Sequence, residues 1–292
     1  MASFSTRLTA AVQRTGTPLC VGIDPFPDRL PGVQPGDSRA DRAACALRFG
    51  RAILAACRDV VPAIKPQFAF FEQLGPEGMG ALATLLTEAR AMGLLVVGDA
   101  KRGDIGTTAS AYAAATLSPD APFPCDALTV SPFLGADTLA PFVDAARTAE
   151  SGLFVLYRTS NPGSAQFQEP VAAALAGWIT ATGAALADHN GLSPIGAVLG
   201  ATKGEALARG RDDLPHAWLL VPGYGAQGAT ARDCAPAFRS DGLGALIPSS
   251  RSVTFPDVPT AAWVRDPATF VAERIRAVRA ELEAVVRIPA AS

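Results

Sequence analysis

The chain has 292 residues, of which 49% are hydrophobic and 18% are charged, and its net charge is −2. This composition supplies a large core and excludes an intrinsically disordered chain. The nearly balanced charge argues against a protein that coats nucleic acid or an anionic membrane, so we expect neither as a partner.

The cellular location is predicted from the apolar segments and the cysteines. No segment approaches the roughly 18 uninterrupted apolar residues of a transmembrane helix, and the first residues lack the apolar core of a signal peptide. The five cysteines are scattered and form no C-x-x-C pair, which favours a reducing compartment. We therefore expect a cytoplasmic protein.

Short apolar segments alternate with alanine-rich segments along the whole chain. The predicted strands are residues 19–24, 63–67, 94–99, 127–131, 153–158, 195–200, 218–222 and 245–249. The predicted helices between them are residues 39–60, 78–92, 107–117, 137–149, 169–188, 203–209 and 230–238. Two more helices flank this set, at about residues 5–14 and 267–286.

Strands that are apolar throughout indicate a parallel sheet covered on both faces. Eight strand-then-helix units in one chain predict an α/β fold, a (β/α)8 TIM barrel, as a single domain over residues 1–292. The main alternative is an open doubly wound sheet. That fold is expected to show a G-x-G-x-x-G turn after its first strand, which the sequence VGIDPFPDRLPG at residues 21–32 does not contain.

Histidine and lysine are both rare. Only His189 and His216 are present, in polar connecting sequence, so a His-rich metal site or a Ser-His-Asp triad is not expected. Three lysines, Lys65, Lys101 and Lys203, stand against 22 arginines. Because arginine supplies positive charge elsewhere, a retained lysine indicates a task that needs proton release.

Charged residues cluster where the predicted strands end, which is where barrel enzymes place their chemistry. Asp24 ends the first strand, Lys65 lies in the second, and Asp99, Lys101 and Asp104 follow the third. Taken alone, Asp104 could cap the next helix and Asp99 could be a satisfied strand-end carboxylate. Together with the lysines they form an alternating array that would hold one lysine protonated and aimed.

Three later loops carry polar groups suited to a ligand. PGYGAQG at residues 222–228 offers backbone amides and Gln227, and Arg251 follows the eighth strand, so the two form a candidate phosphate site. TSNPG at residues 159–163 places Ser160 after the fifth strand. Ordinary turns remain the alternative for each loop alone.

The sequence DAKRGDIGTTASAY resembles the D-x-K-x-x-D-I signature of the orotidine 5′-phosphate decarboxylase family, through Asp99, Lys101, Asp104 and Ile105. Thr108 follows as that pattern expects. The resemblance extends in order through VGID, AIKPQFAFFE, TSNPG, PGYGAQG and SSRS. DALTVSPFLG at residues 126–135 is similar to the longer bacterial branch, although Ser131 departs from its pattern and its role is left open.

The resemblance implies decarboxylation of orotidine 5′-monophosphate to UMP, the last step of de novo pyrimidine synthesis, without metal or organic cofactor. Lys101 would be the proton donor, with Asp99 near the substrate carboxylate. Lys65 would link and neutralise Asp24 and Asp99. Asp104 would be supplied across the interface of a homodimer with shared sites.

The resemblance also implies the substrate contacts. Asp24 would face the ribose hydroxyls and Ser160 the pyrimidine, with Thr108 also assigned to substrate binding. Gln227 and Arg251 would hold the phosphate.

Three other functions compete with this prediction. A Mg²⁺-dependent keto-sugar-phosphate decarboxylase on the same scaffold would need an acidic metal ligand at the end of the second strand, where Lys65 stands. A Schiff-base aldolase needs a neutral lysine, which neighbouring carboxylates oppose. A catalytically silent nucleotide-phosphate binding protein would not need the charged array.

Overall fold

Eight parallel strands form a closed barrel in which each strand pairs with the next in sequence and the last pairs with the first. The computed structural model describes residues 2–201 and 204–290. Its strands are β1 (Leu19–Ile23), β2 (Ala63–Pro66), β3 (Leu95–Arg102), β4 (Ala127–Val130), β5 (Gly152–Arg158), β6 (Ser193–Leu199), β7 (Ala217–Leu220) and β8 (Ala245–Ser249). The predicted (β/α)8 barrel is confirmed.

Helices follow the strands and cover the outside of the barrel. They are α1 (Phe4–Thr15), α2 (Arg39–Cys57), α3 (Phe68–Glu72), α4 (Gly75–Ala91), α5 (Gly106–Leu117), α6 (Ala136–Thr148), α7 (Ser164–Gln168), α8 (Ala172–Ala184), α9 (Gly204–Asp213), α10 (Ala231–Cys234), α11 (Arg251–Thr254), α12 (Ala261–Arg265) and α13 (Pro267–Glu283). Among the described helices, none is long and apolar enough to cross a membrane.

Several predicted boundaries differ from the observed ones. The helix predicted at 169–188 is a 3₁₀ turn, Glu169–Val171, followed by α8, and the helix predicted at 230–238 is α10 followed by another 3₁₀ turn. Lys203, the predicted start of one helix, lies outside the described residues. The helices α3, α7, α11 and α12 were not predicted, because four or five residues are too few to show a helical period.

The predicted end of the third strand was wrong. The prediction ended that strand at Asp99, but β3 continues to Arg102, which pairs with Val130 of β4. The register shifts between Gly98 and Arg102, so the pairing with β4 resumes beyond the charged residues. The change from apolar to charged sequence marks the end of the buried part of the strand and not the end of the strand.

Helix α1 closes the amino-terminal end of the barrel. Its Phe4 is buried and meets Phe154 of β5 edge to face, with ring centroids 6.1 Å apart. Gly152 makes room for this contact, since a Cβ there would lie 2.2 Å from the Phe4 ring. Arg7 forms an ion pair with buried Asp126, whose other carboxylate oxygen accepts from the backbone N–H of Val96 at 2.9 Å. The helix is thus attached to the base of β3 and β4.

A buried arginine joins the elements around the last two strands. Arg211 of α9 donates at 2.7–3.0 Å to the main-chain carbonyl oxygens of Leu214, Ala217, Ala237 and Gly244. Burial, with the nearby Arg239, lowers the pKa of the guanidinium to about 10, so it stays charged at neutral pH. One side chain therefore satisfies carbonyls that would otherwise be buried without donors.

We expect Arg211→Met to lower the free energy of unfolding by about 3 kcal/mol, because it leaves several buried carbonyls without donors. Urea unfolding measures this change. Arg209→Ala on the same helix is the control: its ion pair with Glu205 is exposed, so its effect should stay within about 0.5 kcal/mol. Equal effects of the two substitutions would contradict this role for Arg211.

Candidate active site

A cavity of about 530 Å³ opens at the carboxyl ends of the strands. This is the end of a (β/α)8 barrel at which binding sites are built. Its lining includes Asp24, Lys65, Gln67, Asp99, Lys101, Thr129, Ser160, Asn161, Gln168, Gln227 and Arg251. Seven of the predicted site residues are therefore brought to one cavity from distant parts of the chain.

Asp99 is at the centre of the charged side chains. One of its carboxylate oxygens accepts from Lys65 Nζ at 2.7 Å and from Gln67 Nε2 at 3.0 Å. The other accepts from Lys101 Nζ at 2.5 Å. Lys65 reaches Asp99 from the neighbouring strand β2, whereas Lys101 is two residues farther along β3. Three members of the predicted Lys–Asp–Lys–Asp array, Lys65, Asp99 and Lys101, therefore meet in direct contacts. Asp104, the fourth member, is not among these contacts.

Burial and charge act in opposite directions on this cluster. Burial alone would raise the pKa of the Asp99 carboxyl, but attraction to Lys65 and Lys101 outweighs it and the pKa falls well below its usual range. Burial would lower the pKa of Lys65, but Asp99 and then Asp24 reverse this, and the pKa lies above its usual value. Both groups are therefore charged at neutral pH, despite their burial.

The two lysines differ in exposure. The Lys65 side chain is 9% exposed and the Lys101 side chain is 46% exposed. A buried lysine held by a carboxylate supplies fixed charge, whereas a half-exposed ammonium in the cavity can meet a bound ligand and exchange protons with water. The two lysines are thus suited to different tasks.

Asp24 directly follows β1 beside this cluster, and one of its carboxylate oxygens is unpartnered in the described part of the chain. Its buried Oδ1 has no hydrogen-bond partner among the described residues. The predicted link between Asp24 and Lys65 is electrostatic: Asp24 contributes to the raised pKa of Lys65, whose observed hydrogen bond goes to Asp99. A buried acceptor without a donor, on the cavity wall, suits a ligand hydroxyl.

The opposite side of the cavity is formed by the loops after β7 and β8. Gln227 and Arg251 both line it, and both are exposed. The glycine-containing turn at residues 223–228 brings backbone close to the cavity. An amide, a guanidinium and backbone N–H groups together can hold an anion.

The segment after β5 forms the remaining wall. Gln168 of α7 accepts from the backbone N–H of Thr159 at 2.7 Å and donates to its hydroxyl at 2.8 Å. Ser160 follows and packs against Gly200, where a Cβ would lie 2.9 Å from the Ser160 backbone. Ser160 thus lines the cavity on a segment that is attached at both sides.

Two predicted site residues do not line this cavity. Asp104 and Thr108 lie beyond the end of β3, and Thr108 is exposed on α5. The Asp104 carboxylate accepts from the adjacent Ile105 N–H at 2.7 Å, and α5 begins without a side-chain cap. Asp104 therefore does not act as the side-chain cap of α5, which was the alternative interpretation of this residue.

Sequence reasoning did not assign several polar residues of the cavity wall to the site, among them Gln67, Thr129, Asn161 and Gln168. Thr129 had a usable signal, since it is a polar residue inside the apolar strand ALTV, followed by Val130. Gln168 had none, because its contact with Thr159 depends on how the chain folds back after β5. Among the described residues, no group of three or more His, Cys, Asp or Glu side chains could hold a metal ion.

The fold and this cavity define a class: a (β/α)8 barrel with a Lys–Asp–Lys cluster at the carboxyl ends of its strands. Residues 17–265 match the model of the Orotidine 5′-phosphate decarboxylase / HUMPS family. The chain belongs to this family.

Individual relatives agree with this assignment. The chain is 44% identical to the orotidine 5′-phosphate decarboxylase of Rhodopirellula baltica, over 87% of this chain and 89% of that protein. It is 46% identical to that of Streptomyces coelicolor, over 80% and 83% of the two chains. Both relatives are covered over most of their length, so the likeness is not confined to a shared motif.

Solved structures are also similar. A structure from Streptomyces avermitilis assigned to the same enzyme has a TM-score of 0.81 at 40% identity, covering 97% of this chain and 96% of that one. The Leishmania donovani OMP decarboxylase has a TM-score of 0.70 at 32% identity, covering 95% and 98%. The similarity therefore extends over the whole barrel.

The Asp99 cluster predicts a pH-dependent contribution to stability. We expect Asp99→Asn to lower the free energy of unfolding at pH 7 by about 3 kcal/mol, because it leaves buried Lys65 without its carboxylate. The folded-state pKa of Asp99 is depressed, so its contribution is present above the unfolded value of about 3.9 and declines as pH falls below that value. Urea unfolding of both proteins between pH 7 and 3 should show the difference narrowing below about pH 4.

Proposed function

We propose that this chain decarboxylates orotidine 5′-monophosphate to UMP in pyrimidine biosynthesis, and that Lys101 supplies the proton to C6 of the pyrimidine. The observation that carries this proposal is the Asp99 carboxylate, which holds buried Lys65 on one oxygen and half-exposed Lys101 on the other. Family membership supports the same reaction.

The chemistry calls for a cation next to the reacting carbon. When the bond from C6 to the carboxylate breaks, CO₂ leaves and the electron pair remains on C6, where the pyrimidine ring delocalises it poorly. The Lys101 ammonium would stabilise that charge and then transfer its proton to C6, becoming a neutral amine that solvent reprotonates. Neither a metal nor an organic cofactor has a part in this sequence.

Asp99 has two parts in this mechanism. It holds the Lys101 ammonium at 2.5 Å, and its negative charge would lie near the substrate carboxylate. That proximity disfavours the bound substrate and disappears when neutral CO₂ departs. Lys65, buried and charged, keeps Asp99 ionised throughout.

The rest of the cavity would orient the nucleotide. The unpartnered Asp24 Oδ1 suits a ribose hydroxyl, and the Ser160 hydroxyl suits a polar edge of the pyrimidine. Gln227 and Arg251 would hold the 5′-phosphate, with Arg251 donating two parallel hydrogen bonds. Binding energy from the phosphate, remote from C6, would then be available to hold the reacting part in place.

We also propose a homodimer in which Asp104 and Thr108 serve the partner's cavity. An apolar surface supports this: Ile105, Phe133 and Phe167 are 63%, 81% and 67% exposed. Ser131 begins the loop that carries Phe133, and its backbone N–H donates to Arg102 O at 2.7 Å. This bond places the loop beside residues 103–105. Exposed apolar side chains beside Asp104, such as those of Ile105 and Phe133, are typical of an interface.

Two further properties stay predictions. The chain is proposed to act as one barrel domain over residues 1–292 and in the cytoplasm. Five free, buried cysteines are compatible with a reducing compartment.

We expect Lys101→Ala to lower kcat at least about 1,000-fold, because it removes both the cation and the proton at C6. UMP should still bind within about threefold of the unsubstituted affinity, since Asp24, Gln227 and Arg251 remain. Loss of absorbance by orotidine 5′-monophosphate measures turnover, and calorimetry measures UMP binding.

The same assay separates the competing functions. Arg209→Ala, on the far side of the barrel wall, is the matched control and should leave the rate unchanged. Near-normal turnover by Lys101→Ala would refute the proposed proton donor. Loss of turnover by the unsubstituted protein in EDTA would instead favour a metal-dependent sugar-phosphate reaction.

Shared active sites predict complementation between two inactive variants. In a mixed dimer of Lys101→Ala and Asp104→Ala, one cavity carries both substitutions and the other carries neither, so a refolded equimolar mixture should recover roughly a quarter of full activity. A mixture of Lys101→Ala with Lys101→Gln is the control and should recover none. No recovery in the first mixture, with dimers confirmed by light scattering, would contradict sharing through Asp104.

A further inference from the structure

The strand that carries Asp99 and Lys101 has an irregular pairing with its neighbour. Gly98 pairs with Leu128 and Arg102 pairs with Val130. Between these pairs β3 contains three residues, whereas β4 contains only Thr129. The extra residues form a bulge whose backbone N–H groups cannot all find partners in the regular ladder.

Lys101 lies in this bulge with a φ of 48°, in the left-handed region. A side chain with a Cβ adopts this conformation only where its surroundings hold it there. The conformation matters for function because it decides the direction in which the Lys101 side chain leaves the strand.

The Thr129 hydroxyl makes the contacts that hold the bulge. Its Oγ1 accepts from the backbone N–H of Ala100 at 3.0 Å and from that of Lys101 at 2.9 Å. It lies 3.1 Å from Asp99 Oδ1 and 3.4 Å from Gly98 O, and the shorter distance assigns its one hydrogen to Asp99. A threonine hydroxyl has two acceptor lone pairs and one donor, so its capacity is fully used. Thr129 is itself buried.

We propose that Thr129 is a positioning residue for the reaction, acting through the bulge of β3 to aim Lys101 at C6. The inference rests on the proposed role of Lys101 as proton donor. One oxygen atom fixes the backbone of Lys101 and simultaneously bonds the carboxylate oxygen that holds the Lys101 ammonium. The Thr129 hydroxyl oxygen thus positions both the backbone of Lys101 and, through Asp99, its ammonium group.

Only a side chain with a hydroxyl at this position can do this. Valine has the same shape but would leave two buried N–H groups without an acceptor and would free Asp99 Oδ1 on that side. Serine keeps the hydroxyl and loses only a methyl group. The two substitutions therefore separate the effect of the hydroxyl group from the effect of side-chain volume.

The test compares three variants. We expect Thr129→Val to lower kcat about 100-fold, the order of loss that misplacement of a reacting group by about 1 Å produces. KM and the affinity for UMP should stay within about threefold, because the phosphate and ribose contacts are untouched. Thr129→Ser should restore kcat to within about threefold of the unsubstituted protein.

Thr9→Val is the matched control. Thr9 is also buried, and its hydroxyl has no hydrogen-bond partner among the described residues, so removal of that hydroxyl should leave kcat unchanged. Circular dichroism confirms that each variant is folded. If Thr129→Val does not fold, Thr129→Cys carries the same test, because a thiol is a weak donor and acceptor.

The outcomes separate this inference from the proposed function. If Lys101→Ala is inactive but Thr129→Val retains kcat within threefold, the positioning role is wrong and the proton donor stands. The positioning role is also overturned if Thr129→Ser lowers kcat as much as Thr129→Val does, or if Thr129→Val raises KM and leaves kcat unchanged. If Lys101→Ala is fully active, the proton donor itself is wrong, and the role of Thr129 fails with it.

Discussion

The Asp99 carboxylate accepts from two ammonium groups at once, one buried and one half-exposed, and the surrounding structure is arranged to make that possible. A buried carboxylate between two lysines would lose more by desolvation than it gains unless every contact is well placed. Here the placement comes from three neighbouring strands: β2 supplies Lys65 and β3 supplies Asp99 and Lys101, while β4 supplies the hydroxyl that saturates the second oxygen of Asp99.

The need for well-placed contacts around Asp99 is met by buried interactions that anchor the barrel strands away from the cavity. The barrel is closed at its amino-terminal end by α1, and Asp126 ties that helix to β3 and β4 at their starts. Arg211 fixes the approach to β7 and β8, the strands that lead into Gln227 and Arg251. Elements that do not line the cavity therefore anchor the strands on both of its sides.

Much of this could be predicted from the chain alone. The apolar strands and alanine-rich helices indicated the barrel, and the rarity of lysine singled out Lys65 and Lys101 before any family was considered. The short helices could not be predicted, because four or five residues are too few to show a repeating helical pattern. The position of Asp104, outside this chain's own cavity, was compatible with the predicted sharing between subunits.

The sequence by itself determined the order of the strands and the identity of the charged residues, because burial on both faces and position after a strand are local properties. Tertiary structure decided which of those residues meet. Asp24, Ser160 and Arg251 share a cavity only because the barrel closes. Past Asp99, β3 is held by its neighbour β4, where Thr129 accepts two amides of the bulge and Val130 pairs with Arg102. Such contacts depend on register between strands, which no local pattern in either segment contains.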